Sequence, residues 1–196
     1  MALFDWLSET SGPAVEGRGV ALRPPAMPDY AAWAALRQQS RAYLQPWEPL
    51  WPEDDLTRAA FRRRLSLYER EMEAGTAWPF FIFRQEDEEL VGAITLSNVR
   101  RGVSEMGTLG YWVGQPFAGA GHATEAVRAC ARFAFETLKL HRVEAACVPT
   151  NIASRRVLEK SGFSLEGHAR AYLKINGAWA DHLLFGLLKG DVEHGA

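Results

Sequence analysis

A strand-like run, Thr108-Leu109-Gly110-Tyr111-Trp112-Val113, passes through Gly114-Gln115-Pro116-Phe117-Ala118 into Gly119-Ala120-Gly121-His122-Ala123-Thr124, and then into a helical pattern. That order of elements makes an anion site. The first N–H groups of a helix lack partners within it, and the aligned peptide dipoles add partial positive charge there. Glycine lets the main chain come close to a phosphate and adopt positive φ. Thr124 can add a hydroxyl to the same oxygens. The dinucleotide pattern G-x-G-x-x-G is incomplete, because position 124 is Thr, and the Lys-Ser/Thr pair of a nucleoside triphosphate loop is missing. Taken alone, these residues suit a phosphate site or a plain turn with two glycines.

A second segment, Asn151-Ile152-Ala153-Ser154-Arg155-Arg156-Val157-Leu158-Glu159-Lys160-Ser161-Gly162-Phe163, begins where a strand ends. Asn151 has the chemistry of an N-cap, Ser154 stands one turn in, and Gly162 can stop the helix. Capping alone would account for Asn151. His122, His141, His168, His182 and His194 show no metal-ligand spacing, and no metal is expected. The two cysteines, Cys130 and Cys147, sit in apolar surroundings and suggest neither a disulfide framework nor a zinc site. A reduced, cytoplasmic setting fits them.

The elements that position these segments follow from periodicity and punctuation. Residues 1–16 read as a loose lead-in and residues 17–190 as one domain. Val20–Arg23 reads as a short strand stopped by Pro24-Pro25. Asp29 can cap a helix carrying Tyr30, Trp33, Ala34 and Leu36 at helical spacing. Two prolines hold Leu44-Gln45-Pro46-Trp47-Glu48-Pro49 out of helix and sheet. Asp54 or Asp55 starts a helix that Gly75 ends. Trp78–Arg84 and Leu90–Leu96 form a hairpin around Gln85–Glu89. After the glycine turn a helix runs from about Ala123 to Leu138, with Val127, Cys130, Ala131, Ala134 and Leu138 on one face. Arg142–Val148 is a strand, Ile152–Ser161 a helix, and further strands follow Gly162-Phe163. This order argues for a mixed α/β or α+β sheet covered by helices.

Composition limits the partners. The chain has 196 residues, 47% apolar and 23% charged, with a formal net charge of −2. That suits one globular domain. It gives no global basic field for nucleic acid; Arg62-Arg63-Arg64 reads as a solvated helix face. No run reaches the ~20 apolar residues of a membrane span, and Met1–Gly12 lacks the pattern of a signal peptide.

Together, the two motifs resemble the GNAT N-acetyltransferase superfamily. Ala118–Ala123 is similar to its Q/R-x-x-G-x-G/A motif, about 30 residues ahead of an Asn-x-x-Ser…Gly-Phe helix. The likeness is closest to the RimJ type, which acetylates the N-terminal alanine of a ribosomal protein. It extends to Leu44–Pro49, Leu96–Gly102, Leu109-Gly110-Tyr111, His141-Arg142 and Tyr172–His182, and covers roughly residues 17–188. His141 and His182 match the family pattern and read as structural. The first motif position, usually Gln or Arg, is Ala118, so one side-chain contact to the pyrophosphate is lost and weaker cofactor binding is expected.

The resemblance implies a GNAT-like mixed, largely antiparallel sheet with helices on both faces. Acetyl-CoA lies between two splayed parallel strands, here Thr108–Val113 and Arg142–Val148. Trp112, Val113, Ala118, Gly119, Ala120, Gly121, His122, Ala123, Thr124, Asn151 and Ser154 are then the expected cofactor contacts. The pantetheine arm pairs with main chain near Trp112 and Val113, and a backbone N–H there polarises the thioester. Ser154 is the implied acid for the thiolate. Many relatives carry a base Glu at a position aligned with Gly107. Glu105, two residues away on the same strand face, is the candidate base; its other reading is a surface residue of the loop after Gly102.

Trp47, Asn98, Tyr172 and Asp181 are the candidate acceptor contacts. An α-amine, with a pKa of about 7.7–8.0, needs less help from a base than a lysine at about 10.4. That favours a protein N-terminus, such as a ribosomal protein's, over a lysine. A small-molecule amine and a non-catalytic CoA-binding module are the alternatives. The chain is expected to act as a monomer or homodimer, without direct nucleic-acid or membrane binding.

Overall fold

The computed structural model describes residues 14–193. Its eight strands are β1 (Val15–Glu16), β2 (Val20–Arg23), β3 (Trp78–Arg84), β4 (Leu90–Arg100), β5 (Met106–Val113), β6 (Arg142–Cys147), β7 (Ser164–Ile175) and β8 (Ala178–Leu188). They form one sheet in the order β1-β2-β3-β4-β5-β6-β8-β7. Every neighbouring pair is antiparallel except β5 and β6. The expected mixed, largely antiparallel sheet is therefore present.

Both faces are covered, and the sequence of β3 shows why. Phe80 and Ile82 point to one side and Phe81 and Phe83 to the other, all buried, so the strand has no polar face. On the first side lie α4 (His122–Arg132) and α5 (Ile152–Lys160), whose Val127, Cys130 and Leu158 pack on Phe80, Ile82, Leu96 and Val143. On the second lie α1 (Tyr30–Gln39) and α3 (Arg58–Glu73). Trp33, Leu36, Phe61 and Leu65 meet Phe81, Phe83 and Leu90 there. Two short helices, α2 (Arg41–Leu44) and α6 (Lys189–Glu193), complete the set.

The sheet splits where the chemistry is expected. β5 and β6 pair only from Met106↔Arg142 to Leu109↔Ala145. Beyond that point β5 stays with β4 as far as Val113↔Gly92, while β6 stays with β8 as far as Cys147↔Leu183. Each strand follows its other neighbour, and a V-shaped gap opens between them.

Several local expectations change. Asp29 does not cap α1 with its side chain; it accepts from the Ala26 N–H at 2.7 Å and both Arg23 amines at 2.6 and 2.8 Å. A buried guanidinium outcompetes the helix end for that carboxylate. Neither Asp54 nor Asp55 caps α3. Thr57 does, accepting from Ala60 N at 3.2 Å, and the two aspartates pair with Arg63 and Arg64. Pro46 sits inside a single 3₁₀ turn, Gln45–Trp47, where a missing N–H is harmless. The helix expected to reach Leu138 ends in a π-helical turn, Phe133–Thr137, with Leu138 N donating to Phe133 O at 3.1 Å. Val15 and Glu16, expected in the lead-in, pair with β2; residues 1–13 lie outside the described residues. No helix among the described residues is long and apolar enough to cross a membrane.

Candidate active site

A cleft of about 950 Å³ runs through the gap, and a second cavity of about 490 Å³ opens on the α1–α3 side of the sheet. They share Glu48, Pro49, Gly110, Tyr111 and Trp112. The two cavities therefore border each other at the edge of β5.

One end of the cleft suits phosphate. Ala118, Gly119, Gly121, His122, Ala123 and Thr124 line it, while Ala120 points outward. Gly119 and Gly121 adopt φ of +80° and +90°, which a side chain would strain. Gly121 holds the N-cap position of α4, and nothing lies within 4 Å of where its Cβ would be, so no side chain caps the start of that helix. Arg156 and Lys160, one turn apart on α5, line the same cleft; sequence reasoning missed them, although their i, i+4 spacing on the second motif helix was available. Burial, assisted by Arg84, holds the His122 imidazole below the usual histidine range.

The middle of the cleft suits an extended thiol arm. From Gly110 to Val113 the gap-facing main chain of β5 has no strand partner, a ready edge for an added strand. Trp47, Trp112 and Val113 flank it. At its base, Asn151 caps α5 by accepting from Ser154 N at 3.0 Å. The Ser154 hydroxyl is 3.0 Å from Tyr111 Oη. Burial lifts the Tyr111 phenol above the usual tyrosine range, against the pull of the Ser154 hydrogen bond. Burial also raises the Cys147 thiol beside them, opposed by Ser154 and Arg155.

The cavity on the α1–α3 side includes residues the sequence did not assign to a site, Arg37 and Trp51, beside Trp112, an expected cofactor contact, and Glu48 of the Leu44–Pro49 segment. Arg37 donates to both oxygens of Glu48 at 2.7 and 2.8 Å, and Trp51 Nε1 donates to Glu48 Oε2 at 2.7 Å. The Arg37 guanidinium lies 3.8 Å from the Trp51 ring centroid and 4.8 Å from that of Trp112. This clasp ties the loop after α2 to β5. The Leu44–Pro49 segment, with Trp47 as its candidate contact, was the visible sign of that loop.

Four other candidates lie elsewhere. Glu105 precedes β5 at the closed end of the parallel pair, with φ +39°. Its carboxylate accepts from Gly102 N at 3.0 Å and pairs with Arg101 at 3.2 Å. Leu109 is four residues on, a rise of about 13 Å, so Glu105 buckles a turn outside the cleft. Gly107 gives the reason the alignment misled: a Cβ there would meet Leu96 Cδ1 at 2.8 Å, inside the core. Asn98 is an exposed bulge residue with φ +51°; its neighbour Ser97 lines the acceptor cavity. Asp181 Oδ1 accepts from Ala171 N at 2.8 Å, supporting a bulge in β7. Tyr172, half exposed beside that bulge, packs its ring at 62° to that of His182, centroids 5.7 Å apart. No cluster of His, Cys, Asp and Glu among the described residues could hold a metal ion.

Comparison with known proteins agrees with this geometry. Residues 20–164 match the model of the acetyltransferase (GNAT) domain. The chain is 35% identical over 179 residues to the probable N-acetyltransferase YjcK of Bacillus subtilis, covering 91% of this chain and 99% of that protein. It is also 35% identical over 165 residues to the [ribosomal protein uS5]-alanine N-acetyltransferase of Escherichia coli, covering 83% and 85%. Mycobacterium smegmatis RimJ, solved in complex with CoA-disulfide, superposes with a TM-score of 0.85 at 34% identity, covering 92% of this chain and 88% of that one. The chain therefore belongs to the acetyltransferase (GNAT) family, as an acetyl-CoA-dependent N-acetyltransferase of the RimJ type.

Proposed function

We propose that the chain acetylates the N-terminal α-amine of a protein, a ribosomal protein in the bacterial cytoplasm being the leading candidate. The observation that carries this reading is the meeting of the two cavities at Glu48 and Gly110–Trp112. An amine entering from the α1–α3 side comes against a thioester lying in the gap. The rim of that entrance includes Pro49 and Leu50, the latter 59% exposed, so the rest of a polypeptide has room to leave. The Escherichia coli relative, a [ribosomal protein uS5]-alanine N-acetyltransferase, supports the choice of acceptor.

In this reading the first turn of α4, with Arg156 and Lys160, takes the pyrophosphate. The free edge of Gly110–Val113 fixes the pantetheine arm and supplies an N–H to the thioester oxygen, where charge develops as the amine adds. Ser154 protonates the departing thiolate. Its neighbour Tyr111, kept neutral by burial, orients the serine hydroxyl.

The test is thiol release from acetyl-CoA with peptides beginning in Ala, Ser or Met beside a panel of small amines. Turnover confined to Ala- or Ser-starting peptides supports the proposal. Turnover only on small amines moves the acceptor class, and CoA binding without turnover on any acceptor leaves the non-catalytic reading.

A further inference from the structure

We propose that His182 accepts the proton of the attacking amine; this rests on the acetyl-transfer reading above. With Glu105 outside the cleft, the base must come from the residues that line it. Glu48 and Asp55 are the carboxylates lining the two cavities among the described residues, and both are engaged. Glu48 is held by Arg37 and Trp51, and Asp55 by Arg64 at 2.6 Å. A carboxylate clamped by a guanidinium is a poor proton acceptor. Of the two imidazoles on the cleft, His122 stands at the phosphate end, leaving His182.

His182 is 2% exposed yet lines the cleft, so its open surface lies there. Its Nδ1 is 3.0 Å from the Ala180 carbonyl oxygen. A carbonyl only accepts, so Nδ1 carries the proton of the neutral ring and Nε2 keeps its lone pair. Nε2 has no hydrogen-bond partner among the described residues. The Tyr172 ring meets the imidazole at 62°, and Asp181, through Ala171, holds the bulge that carries Tyr172. Two residues expected to contact the acceptor thus act one step back, on His182.

The side of the sheet is also right. Leu183, Phe185 and Leu187 of β8 turn toward the α4–α5 core, which puts His182 on the opposite face, one residue beyond the Cys147↔Leu183 pair at the open end of the gap. Ser154 and Tyr111 lie on the core side. The amine proton and the thiolate are thereby served from opposite faces. As the N–C bond forms, the amine proton passes to Nε2, directly or through one water. The C–S bond breaks, the thiolate takes the Ser154 proton, and the serine recovers one from solvent. The imidazolium returns its proton to solvent. Other titratable groups around this end of the cleft are Tyr172 and Lys174 on β7, Glu48 and Tyr43 across it, and Cys147 on β6; Asp181 faces His168 instead.

The experiment compares the unaltered enzyme with His182→Asn, which keeps a donor for Ala180 O but removes the ring base. With the acceptor peptide found above, kcat/KM should fall about 100-fold while the affinity for CoA changes less than about twofold. The loss should fall on kcat, with the acceptor KM changing less than about threefold. Added imidazole should restore part of the rate. A second variant, His182→Gln, serves if the first fails to bind CoA. Less than about threefold loss of kcat/KM, with no response to added imidazole, would overturn the proposal. No turnover by the unaltered enzyme on any acceptor would overturn it together with the proposed function, an outcome distinct from a normal variant.

Discussion

The Tyr111 hydroxyl stands 3.0 Å from Ser154 Oγ and 3.2 Å from the Ser154 carbonyl oxygen, joining the splayed end of β5 to the first turn of α5. The pair couples the strand proposed to hold the pantetheine arm to the group that would protonate its thiolate. Ser154→Ala should lower kcat by about 100-fold and Tyr111→Phe by about tenfold, within the range of acid–base contributions. Because both act on one proton, the double variant should lose little more than Ser154→Ala alone. Steady-state thiol release on the four proteins measures this. Additive losses would show that Tyr111 acts separately from Ser154.

The glycine turn and the helix cap of the proposed cofactor half were legible in the sequence because backbone chemistry writes itself in residue types. Gly119 and Gly121 are needed for positive φ, and Asn151 is needed to cap α5. The acceptor half was not legible. Arg37, Glu48, Trp51 and Trp112 come from three separate stretches and meet only through the fold. Glu105 failed for a related reason: strand parity predicts which face a residue shares, but not how far along the strand the sheet splits. His182 read as structural from its place in the family pattern, and the sequence alone does not show that it lines the cleft.

The phosphate end should respond to backbone strain and to charge separately. Gly121→Val places a β-branched residue at φ +90° and should weaken CoA binding more than tenfold, since the amides of α4 would turn away. Arg156→Ala and Lys160→Ala should each weaken it by about fivefold at low salt and by less at high salt, where exposed charges are screened. Calorimetric titration with CoA at two ionic strengths distinguishes the two effects. A salt-independent loss in the charge variants would remove those residues from the phosphate site.

His122 gives a pH dependence of definite sign. Burial, then Arg84, lowers its folded value, with Asp87 opposing. The stability that its neutral form contributes is present above the unfolded value of about 6.5 and is lost as pH falls through the folded value. A phosphate beside it favours the charged ring. CoA should therefore bind more tightly as pH falls from about 7 to about 5, and CoA should offset the acid destabilisation. In His122→Gln both trends should flatten. Thermal melts with and without CoA across that range check it, and an unchanged slope in the variant would assign the trend to other groups.

The thiols should report occupancy of the gap. Burial pushes Cys130 up to about 12, deep in the α4 core, and raises Cys147 as well, but Cys147 lines the cleft. Near neutral pH both should react slowly with iodoacetamide, since only the thiolate attacks. Cys147 should label first, and CoA should slow that labelling without affecting Cys130. Peptide mass mapping reads the two sites apart. Faster labelling of Cys130 would mean that the native core opens before the cleft is reached.

The Arg37 clasp borders the proposed acceptor entrance, and its chemistry distinguishes shape from charge. Arg37 is buried, stacked between Trp51 and Trp112, and bidentate to Glu48. Arg37→Lys keeps the charge but loses the planar fork and the stacking. It should raise the acceptor KM about tenfold and leave CoA affinity nearly unchanged, because the loop 45–52 would loosen while β5 keeps its pairing with β4. Arg37→Ala leaves Glu48 largely buried without its cation and should destabilise the fold by about 3 kcal/mol, a fall in Tm of about 6–12 °C. Glu48→Gln in the same background should recover part of that loss by removing the stranded charge. If it does not, the aromatic stacking rather than the ion pair holds the loop, and Trp51→Leu should then reproduce the KM effect alone.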